Sequence, residues 1–205
     1  MAESKQNLIQ TKRISKALLI RFVRPNARNP LSVGVLKLLH RIIDNESDNP
    51  DFEKIIFTGT DGVFASGANL SEIAEVTGEM AREFALRGQN LMDKIASSDK
   101  ITIAAVSGFC FGGALDLALA CDKRIASPNA LFSHPGANLG IMTGWGGTQR
   151  LPRLIGEAKA LEMFLTAKRV EASEALQIGL IDKISANPLA DSIANFSADS
   201  TSINI

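Results

Sequence analysis

The sequence predicts an α/β fold in which short apolar strands alternate with helices. Residues 53–58 and 101–106 have the length and apolar composition of buried strands. Between them lies a segment whose apolar residues recur at helical spacing, namely Phe84, Leu91, Met92 and Ile95. This alternation is typical of a sheet that is covered by helices.

The remaining elements are predicted in chain order. Residues 8–14 and 17–23, joined at Ser15 and Lys16, predict a β-hairpin. Ser32 is suited to cap a helix that ends before residues 45–50. Further strands are predicted over residues 123–126, 130–133 and 180–184, and further helices from Ser71, from near Gly112, and over 158–166 and 171–178, with Gly179 as a C-cap.

The last residues differ in composition from the rest of the chain. Residues 185–205 are rich in Ser, Ala, Asn and Asp, so we expect much of this polar tail to be disordered or loosely docked. The predicted domain organisation is therefore one domain over residues 1–184 and a short C-terminal tail over 185–205.

Composition argues against several classes of function. The 205 residues carry 22 basic and 22 acidic side chains, and a formal charge of zero argues against a nucleic-acid or membrane-surface protein. No apolar run approaches the ~20 residues that a membrane span needs, and the first residues lack the apolar core of a signal peptide. Cys110 and Cys121 lie in apolar sequence without ligand-like spacing. We therefore expect buried, reduced thiols in a cytoplasmic protein, and no metal site.

Residues 104–122 carry the clearest sign of chemistry. A strand runs through a glycine pair into a helix whose residues 114–120 are apolar except for Asp116. Burying an unpaired carboxylate costs several kcal/mol or forces it to keep its proton. Asp116 is therefore either hydrogen-bonded for a structural reason or faces a cavity in which chemistry occurs.

The glycine pair before this helix has two interpretations. N–H groups in the first turn of a helix have no intrahelical partner, and a glycine allows a ligand to approach them closely. Asp116 projects from nearly the same face as Gly113, one turn later, so an oxyanion donor and an acid/base can share one cavity. Alternatively, Gly112 and Gly113 serve only to pack the helix tightly on the strand.

Four blocks of sequence, taken together, resemble a known family. They are Arg24-Pro-x-x-x-Asn-Pro-Leu-Ser, Phe64-Ala-Ser-Gly-Ala-Asn-Leu, Ala105-Val-Ser-Gly-Phe-Cys-Phe-Gly-Gly-Ala-Leu-Asp-Leu-Ala and Gly140-Ile-x-x-Gly-Trp-Gly-Gly-Thr-Gln-Arg-Leu-Pro-Arg-Leu-Ile-Gly. Each block is modestly specific, but their order and spacing resemble the crotonase superfamily, the enoyl-CoA hydratase/isomerase family. The resemblance runs from about residue 8 to residue 184 and stops short of the helices with which typical members end.

The resemblance implies a fold, a substrate and a mechanism. The implied fold is a spiral of ββα units with a truncated C-terminal helical region. The implied enzyme binds an acyl-CoA thioester, needs no cofactor because coenzyme A is part of the substrate, and forms homotrimers or hexamers. The N–H groups of Ala68 and Gly113 would polarise the thioester carbonyl and stabilise an enolate, and Asp116 would be the acid/base. The implied substrate-binding residues are Ala27, Ser66, Gly67, Ala68, Asn69, Leu70, Gly113 and Gly136.

One departure from the family pattern limits the function that can be transferred. A typical hydratase has glutamates at the positions of Asp116 and Gly136, and two carboxylates divide the work of hydration. Gly136 has no side chain, and Asp116 is shorter than glutamate by about 1.5 Å. A single acid/base still suffices for double-bond isomerisation. The open alternatives are a crotonase-type decarboxylase or thioester hydrolase, and a non-catalytic acyl-CoA-binding paralogue.

Neighbouring side chains allow structural and functional interpretations. Alternation along the preceding strand would point His134 away from the cavity, so we interpret it as structural. Trp145 is interpreted as packing, and Arg24 and Arg28 either meet the phosphates of coenzyme A or are solvated. Because the neighbours of Asp116 carry no charge, we expect desolvation to raise its pKa above that of a free aspartate.

Overall fold

Sheets of six, four and two strands, connected by helices, form the framework of the molecule. The computed structural model describes residues 8–46 and 48–194. The strands are β1 Ile9–Ile14, β2 Ala17–Phe22, β3 Pro30–Leu31, β4 Lys54–Thr58, β5 Val63–Ala65, β6 Gly67–Ala68, β7 Ile101–Val106, β8 Phe109–Phe111, β9 Lys123–Ala126, β10 Leu131–Ser133, β11 Val170–Glu171 and β12 Lys183–Ile184. The helices are α1 Val33–Glu46, α2 Leu70–Ala74, α3 Gly78–Ala96, α4 Gly113–Ala120, α5 Gly147–Ile155, α6 Glu157–Thr166, α7 Ala172–Gln177 and α8 Pro188–Ala194, and short 3-10 helices cover Pro25–Ala27 and Pro135–Leu139.

The strand order shows a repeated ββα unit. The larger sheet has the order β1-β2-β4-β7-β9-β12, and β2, β4, β7, β9 and β12 run parallel within it. The smaller sheet has the order β11-β10-β8-β5, with β5, β8 and β10 parallel. Along the chain, β4, β7 and β9 of the larger sheet are each followed by a strand of the smaller sheet and then by a helical segment, as β7, β8 and α4 illustrate. The predicted α/β spiral of ββα units is confirmed.

The two faces of the larger sheet bury different apolar clusters. One face joins the main core, where side chains such as Leu18, Ile55 and Val106 pack with helices α1, α3 and α4. The opposite face buries a second, smaller cluster: Ala17, Leu19, Ile56, Ile103, Ala105 and Ile125. Because side chains alternate along a strand, the apolar runs of β2, β4 and β7 supply both clusters.

The C-terminal tail differs in part from its prediction. Residues 188–194 form helix α8, and its Leu189 and Ile193 pack against the second cluster. Lys54, which is buried on β4, donates a hydrogen bond from Nζ to the carbonyl of Ile193 at 3.0 Å. The expectation of a disordered or loosely docked tail is therefore wrong for residues 188–194, because polar composition concealed two apolar residues four positions apart. Residues 195–205 lie outside the described residues.

Other elements agree with their predictions apart from the start of the last strand. The hairpin of β1 and β2 is confirmed with Ile14 paired to Ala17. The last strand begins at Lys183 and not at Leu180, because the N–H groups of Leu180 and Ile181 both point to the carbonyl of Ala175 and close helix α7. None of the helices in the described ranges combines the length and apolar character needed to cross a bilayer.

Candidate active site

Helix α4 begins at a sharp turn that leaves one main-chain donor open. Gly112 has φ 52° and ψ −124°, a conformation that favours glycine. Its N–H donates to the carbonyl of Ser133 at 2.9 Å, which ties the turn to the end of β10. Within residues 8–46 and 48–194, no acceptor faces the N–H of Gly113, the first residue of the helix. This N–H is free for a ligand, as the first turn of a helix allows.

Gly67 lies directly against this donor. It has φ 90°, and a Cβ atom at this position would stand 2.9 Å from the nitrogen of Gly113 and 2.6 Å from the carbonyl oxygen of Phe111. The short strand β6, which contains Ala68, is therefore held beside the first turn of α4 only because residue 67 has no side chain. Two segments that the sequence analysis selected are brought together here.

Trp145 fills the space between helices α3 and α4. Its ring lies so close to two glycines that a Cβ atom on Gly88 or on Gly113 would stand 2.2 or 2.3 Å from ring atoms. The indole is 3% exposed and also packs on Phe84, with ring centroids 5.8 Å apart. The interpretation of Trp145 as a packing residue agrees with this position, although the same ring also lines the cavity described below.

Asn29 holds the first of the four sequence blocks in place. Its buried side chain accepts a hydrogen bond from the N–H of Arg24 at 2.6 Å and donates to the carbonyls of Val63 and Phe64. The N–H of Ser66 donates to the carbonyl of Arg28 at 2.9 Å. The loop over residues 24–29 is thereby attached to β5 and the segment that follows it.

A mostly apolar cavity lies in front of the start of α4. Its volume is about 290 Å³, close to the lower end of the range for small-molecule sites. Ser66, Ala68 and Gly112 lie on one side, and the turn from His134 to Gly136 lies on another. Apolar side chains complete the wall: Leu70, Ile73, Phe84, Leu139, Ile141, Met142, Trp145 and Phe164.

Asp116 lies behind the wall of this cavity. Its side chain is fully buried, and its Oδ2 accepts a short hydrogen bond from the hydroxyl of Thr143, which does line the cavity. Desolvation raises the pKa of Asp116 to about 7, although the Thr143 hydroxyl, the main chain of Trp145 and the charge of Arg150 each oppose this rise. The expected rise in this pKa is confirmed, with desolvation as the leading cause.

His134 lies beside Asp116 at the cavity wall. Its Nε2 is 3.6 Å from Oδ1 of Asp116, and the side chain is 3% exposed. Both ring nitrogens, like Oδ1 of Asp116, are buried without a hydrogen-bond partner among the described residues. Burial lowers the pKa of His134 to about 4. The expectation that His134 points away from the cavity is wrong, because strand β10 ends at Ser133 and His134 no longer follows its alternation.

The main chain occupies the space beside Gly136. A Cβ atom there would stand 2.4 Å from the carbonyl oxygen of Ile141, and the N–H of Ile141 donates to the carbonyl of Gly136 at 3.0 Å. The loop has closed over the place where a second carboxylate would begin. The path of this loop therefore requires a residue without a side chain at position 136.

Most of the remaining predicted site residues lie at the cavity, but Asn69 and Ala27 do not line it. Ser66, Ala68, Leu70 and Gly136 line the cavity, and Gly67 and Gly113 meet just behind its wall. Asn69 caps α2 by accepting from the N–H of Ser71, and Ala27 lies exposed in its 3-10 helix.

Thr143 and Gly147 were not among the predicted site residues. A Cβ atom on Gly147 would stand 2.1 Å from Oδ1 of Asp116, so this glycine makes room for the carboxylate. Thr143 supplies the hydroxyl on the other carboxylate oxygen. The sequence offered only that Thr143 is one of two threonines in the glycine-rich block over residues 140–156, and this does not reveal its partner until the chain is folded.

An apolar cavity, a glycine turn with a free N–H and a buried carboxylate thus lie close together on a ββα spiral. Residues 13–194 match the family model described as enoyl-CoA hydratase/isomerase. The chain belongs to this family and has the crotonase fold.

Individual relatives support the same assignment. A crotonyl-CoA hydratase of Syntrophomonas wolfei is 40% identical over 180 residues, which cover 87% of this chain and 69% of that protein. A short-chain-enoyl-CoA hydratase of Clostridium acetobutylicum is 38% identical and is covered over 65% of its length. The chain thus spans about two thirds of the length of these relatives.

Solved structures show the same architecture. An enoyl-CoA hydratase from Bacillus anthracis superimposes with a TM-score of 0.85 and 32% identity, covering 91% of this chain and 73% of that one. An enoyl-CoA hydratase from Thermoplasma volcanium gives a TM-score of 0.87 at 29% identity, covering 94% of this chain and 79% of that one.

Proposed function

We propose that this chain processes acyl-CoA thioesters by stabilising their enolates. The observation that carries the proposal is that the free N–H of Gly113 and the buried carboxylate of Asp116, whose pKa is near 7, lie directly behind the residues Gly112 and Thr143 that line an apolar cavity. An acid/base is most effective when its pKa lies near the operating pH. The family's relatives named for enoyl-CoA hydration support the substrate class.

In this proposal, the N–H groups of Ala68 and Gly113 hold the thioester oxygen. One such donor contributes on the order of a hundredfold to a thousandfold in rate. The acyl chain enters the apolar cavity, and residues 24–30 together with 66–70 follow the coenzyme A portion. Support comes from Gly67, whose missing side chain keeps Ala68 close to Gly113.

Asp116 is the proposed acid/base of this reaction. Moving a double bond between carbons of an enoyl thioester requires one group that removes a proton and returns it at another carbon. The Thr143 hydroxyl separates the carboxylate from the cavity, and contacts of this kind often tighten only when substrate binds. The hydroxyl both donates and accepts, so it either relays a proton or turns aside.

A direct experiment tests this function. The purified chain is incubated with saturated and enoyl CoA thioesters of short chain length, and we measure binding, exchange of α-protons with deuterated water and conversion of the enoyl group. We expect binding and α-proton exchange. In Asp116→Asn, exchange should fall by at least a hundredfold with binding nearly intact, because the N–H groups that donate to the thioester oxygen belong to the main chain. A wild-type chain that binds no thioester contradicts the proposal.

We further propose that the chain assembles as a homotrimer or hexamer and is cytoplasmic. Several apolar side chains are more than half exposed, among them Leu161 and Leu165 on α6, and association would remove such a surface from water. The cytoplasmic location is supported by Cys110 and Cys121, which are buried thiols and not a disulfide. Light scattering at micromolar concentration tests the assembly, and a monomer would contradict it.

A further inference from the structure

The space for a second carboxylate at residue 136 is closed, yet a second titratable group lies at the same wall of the cavity. His134 lines the cavity two residues before Gly136. Its ring faces Asp116 with 3.6 Å between Nε2 and Oδ1, slightly longer than a hydrogen bond. The two side chains come from different units of the spiral, one from the end of β10 and the other from the first turn of α4.

The unmet hydrogen bonds at this point need an explanation. Buried polar atoms normally have partners, and each exception calls for a cause. Here three atoms lack partners in the described part of the chain: Oδ1 of Asp116 and both ring nitrogens of His134. Nε2 of His134 and Oδ1 of Asp116 face each other at 3.6 Å, and Gly147 leaves room beside them, since its Cβ would stand 2.1 Å from Oδ1 and 3.1 Å from Cε1 of His134. An acid/base that exchanges a proton with a bound substrate needs a hydrogen-bonding position open to that substrate.

We propose that His134 and Asp116 act as one proton-sharing pair, in which His134 supplies the second acid/base function that hydration of an enoyl thioester requires. This inference rests on the proposed function and specifies its reaction as hydration. The pair carries a single proton, held by Asp116 before the reaction.

The reaction balances with that single proton. A C–O bond forms between water and the β-carbon as an O–H bond of the water breaks, and His134 takes the released proton. The electrons of the carbon–carbon double bond move towards the thioester oxygen and form the enolate. The enolate then takes the proton of Asp116 at its α-carbon. The pair ends with one proton, now on His134, and its transfer to Asp116 across the 3.6 Å gap restores the starting state.

Few other charged or titratable groups bear on this pair. Arg150 of α5 lowers the pKa of Asp116 through its charge, and Cys110 of β8 is a buried thiol whose pKa is raised by desolvation, so it stays neutral. Phe164 of α6 packs on His134 with ring centroids 5.0 Å apart and carries no charge. One proton on the pair is therefore expected between about pH 4, where His134 becomes protonated, and about pH 7, where Asp116 loses its proton.

The test compares two reactions in the same variants. Hydration of crotonyl-CoA needs both members of the pair, whereas α-proton exchange of butanoyl-CoA in deuterated water needs Asp116 alone. We expect wild type to perform both reactions. His134→Gln should lose at least a hundredfold in hydration, retain exchange within a few-fold, and lose the acid limb of the pH profile. Asp116→Asn should lose both reactions.

Controls separate a chemical role from a structural one. His40→Gln changes the other of the two histidines, which contacts the carbonyl of Arg87 away from the cavity, and should leave both reactions unchanged. Circular dichroism checks folding, and His134→Asn replaces His134→Gln if the latter misfolds.

The outcomes distinguish the inference from the function on which it rests. Hydration by the folded His134 variant within threefold of wild type overturns the inference. So does an equal loss of hydration, exchange and binding, since that pattern indicates a structural role. A wild-type chain that exchanges α-protons but does not hydrate crotonyl-CoA overturns the pair and leaves enolate formation standing. A wild-type chain that does neither contradicts both.

Discussion

The α-carbon of Gly67 faces the main-chain nitrogen of Gly113 so closely that a methyl group on it would stand 2.9 Å from that nitrogen. Gly67→Ala should therefore displace β6 from α4 and separate the N–H groups of Ala68 and Gly113, which are proposed to bind the thioester oxygen. We expect turnover to fall on the order of a hundredfold, the effect of losing one such donor, and the positive φ of residue 67 adds strain. Steady-state kinetics with enoyl thioesters measure this loss.

Gly78→Ala provides the matched control for that variant. Gly78 is the first residue of α3, has an ordinary φ and has open space where its Cβ would be. It should keep wild-type activity. Turnover of Gly67→Ala at the wild-type rate would show that the approach of β6 to α4 does not matter for catalysis.

Restoring the second carboxylate at residue 136 should not restore a two-acid site. The side chain of Gly136→Glu would begin 2.4 Å from the carbonyl oxygen of Ile141 and would force the loop apart. We expect a lower unfolding midpoint in urea and a lower rate of hydration than in wild type. A faster hydration rate would mean that the loop yields easily and that the glycine alone limits the reaction.

The hydroxyl of Thr143 should set the pH at which Asp116 becomes a base. Its hydrogen bond favours the ionised carboxylate, so removing it raises the pKa of Asp116 further above about 7. In Thr143→Val the pH midpoint of α-proton exchange should move upward, whereas Thr143→Ser, which keeps a hydroxyl, should retain the wild-type midpoint. Identical midpoints in all three proteins would exclude a role for this hydrogen bond.

Because of Asp116, the free energy of unfolding should fall as the pH rises. An ion-paired aspartate has the opposite effect. Its pKa rises from 3.8 to about 7 on folding, so the folded state keeps a proton that the unfolded state releases. Relative to Asp116→Asn, wild type should lose about 1.4 kcal/mol of unfolding free energy per pH unit between about pH 4 and 7. Urea unfolding across this range measures the difference, and a constant difference would contradict the raised pKa.

Because of His134, the free energy of unfolding should fall as the pH falls. Its pKa falls from 6.5 to about 4 on folding, so the unfolded state binds the proton first. Relative to His134→Gln, wild type should therefore lose stability as the pH falls from about 6.5 to 4. Because the two dependences oppose each other, wild type itself should show little net change from this pair. A difference in unfolding free energy between wild type and the Asp116→Asn, His134→Gln double variant that changes steeply with pH in that range would contradict the assigned pKa values.

Local patterns predicted the framework of this molecule well. Short apolar runs identified the strands, and apolar residues at helical spacing identified the helices of the ββα units. Both signals are local, because the spacing of buried residues is visible within a few consecutive positions. The same is true of the raised pKa of Asp116, whose apolar neighbours on α4 are visible in the sequence. Helix α8 was missed because only Leu189 and Ile193 mark its buried side within a polar segment.

The contacts that cross between units could not be predicted in this way. Thr143 and Gly147 lie about 30 positions after Asp116 in the chain but adjoin it in the fold, and no periodicity links them to it. His134 was assigned to the wrong side because its orientation depends on where β10 ends, and strand ends are poorly defined by sequence. Thr143 and His134 place polar groups beside Asp116, and Gly147 leaves room for its carboxylate.

The position of Trp145 between α3 and α4 has a consequence for the fluorescence of the protein. The chain contains one tryptophan and no tyrosine, so its ultraviolet emission comes almost entirely from a single indole. That indole touches the first residue of α4 and faces the cavity. A thioester that enters the cavity would replace water near the ring and change the intensity and colour of its emission. The protein therefore carries a built-in fluorophore at the place where the acyl group is proposed to bind, and occupancy can be followed without a label.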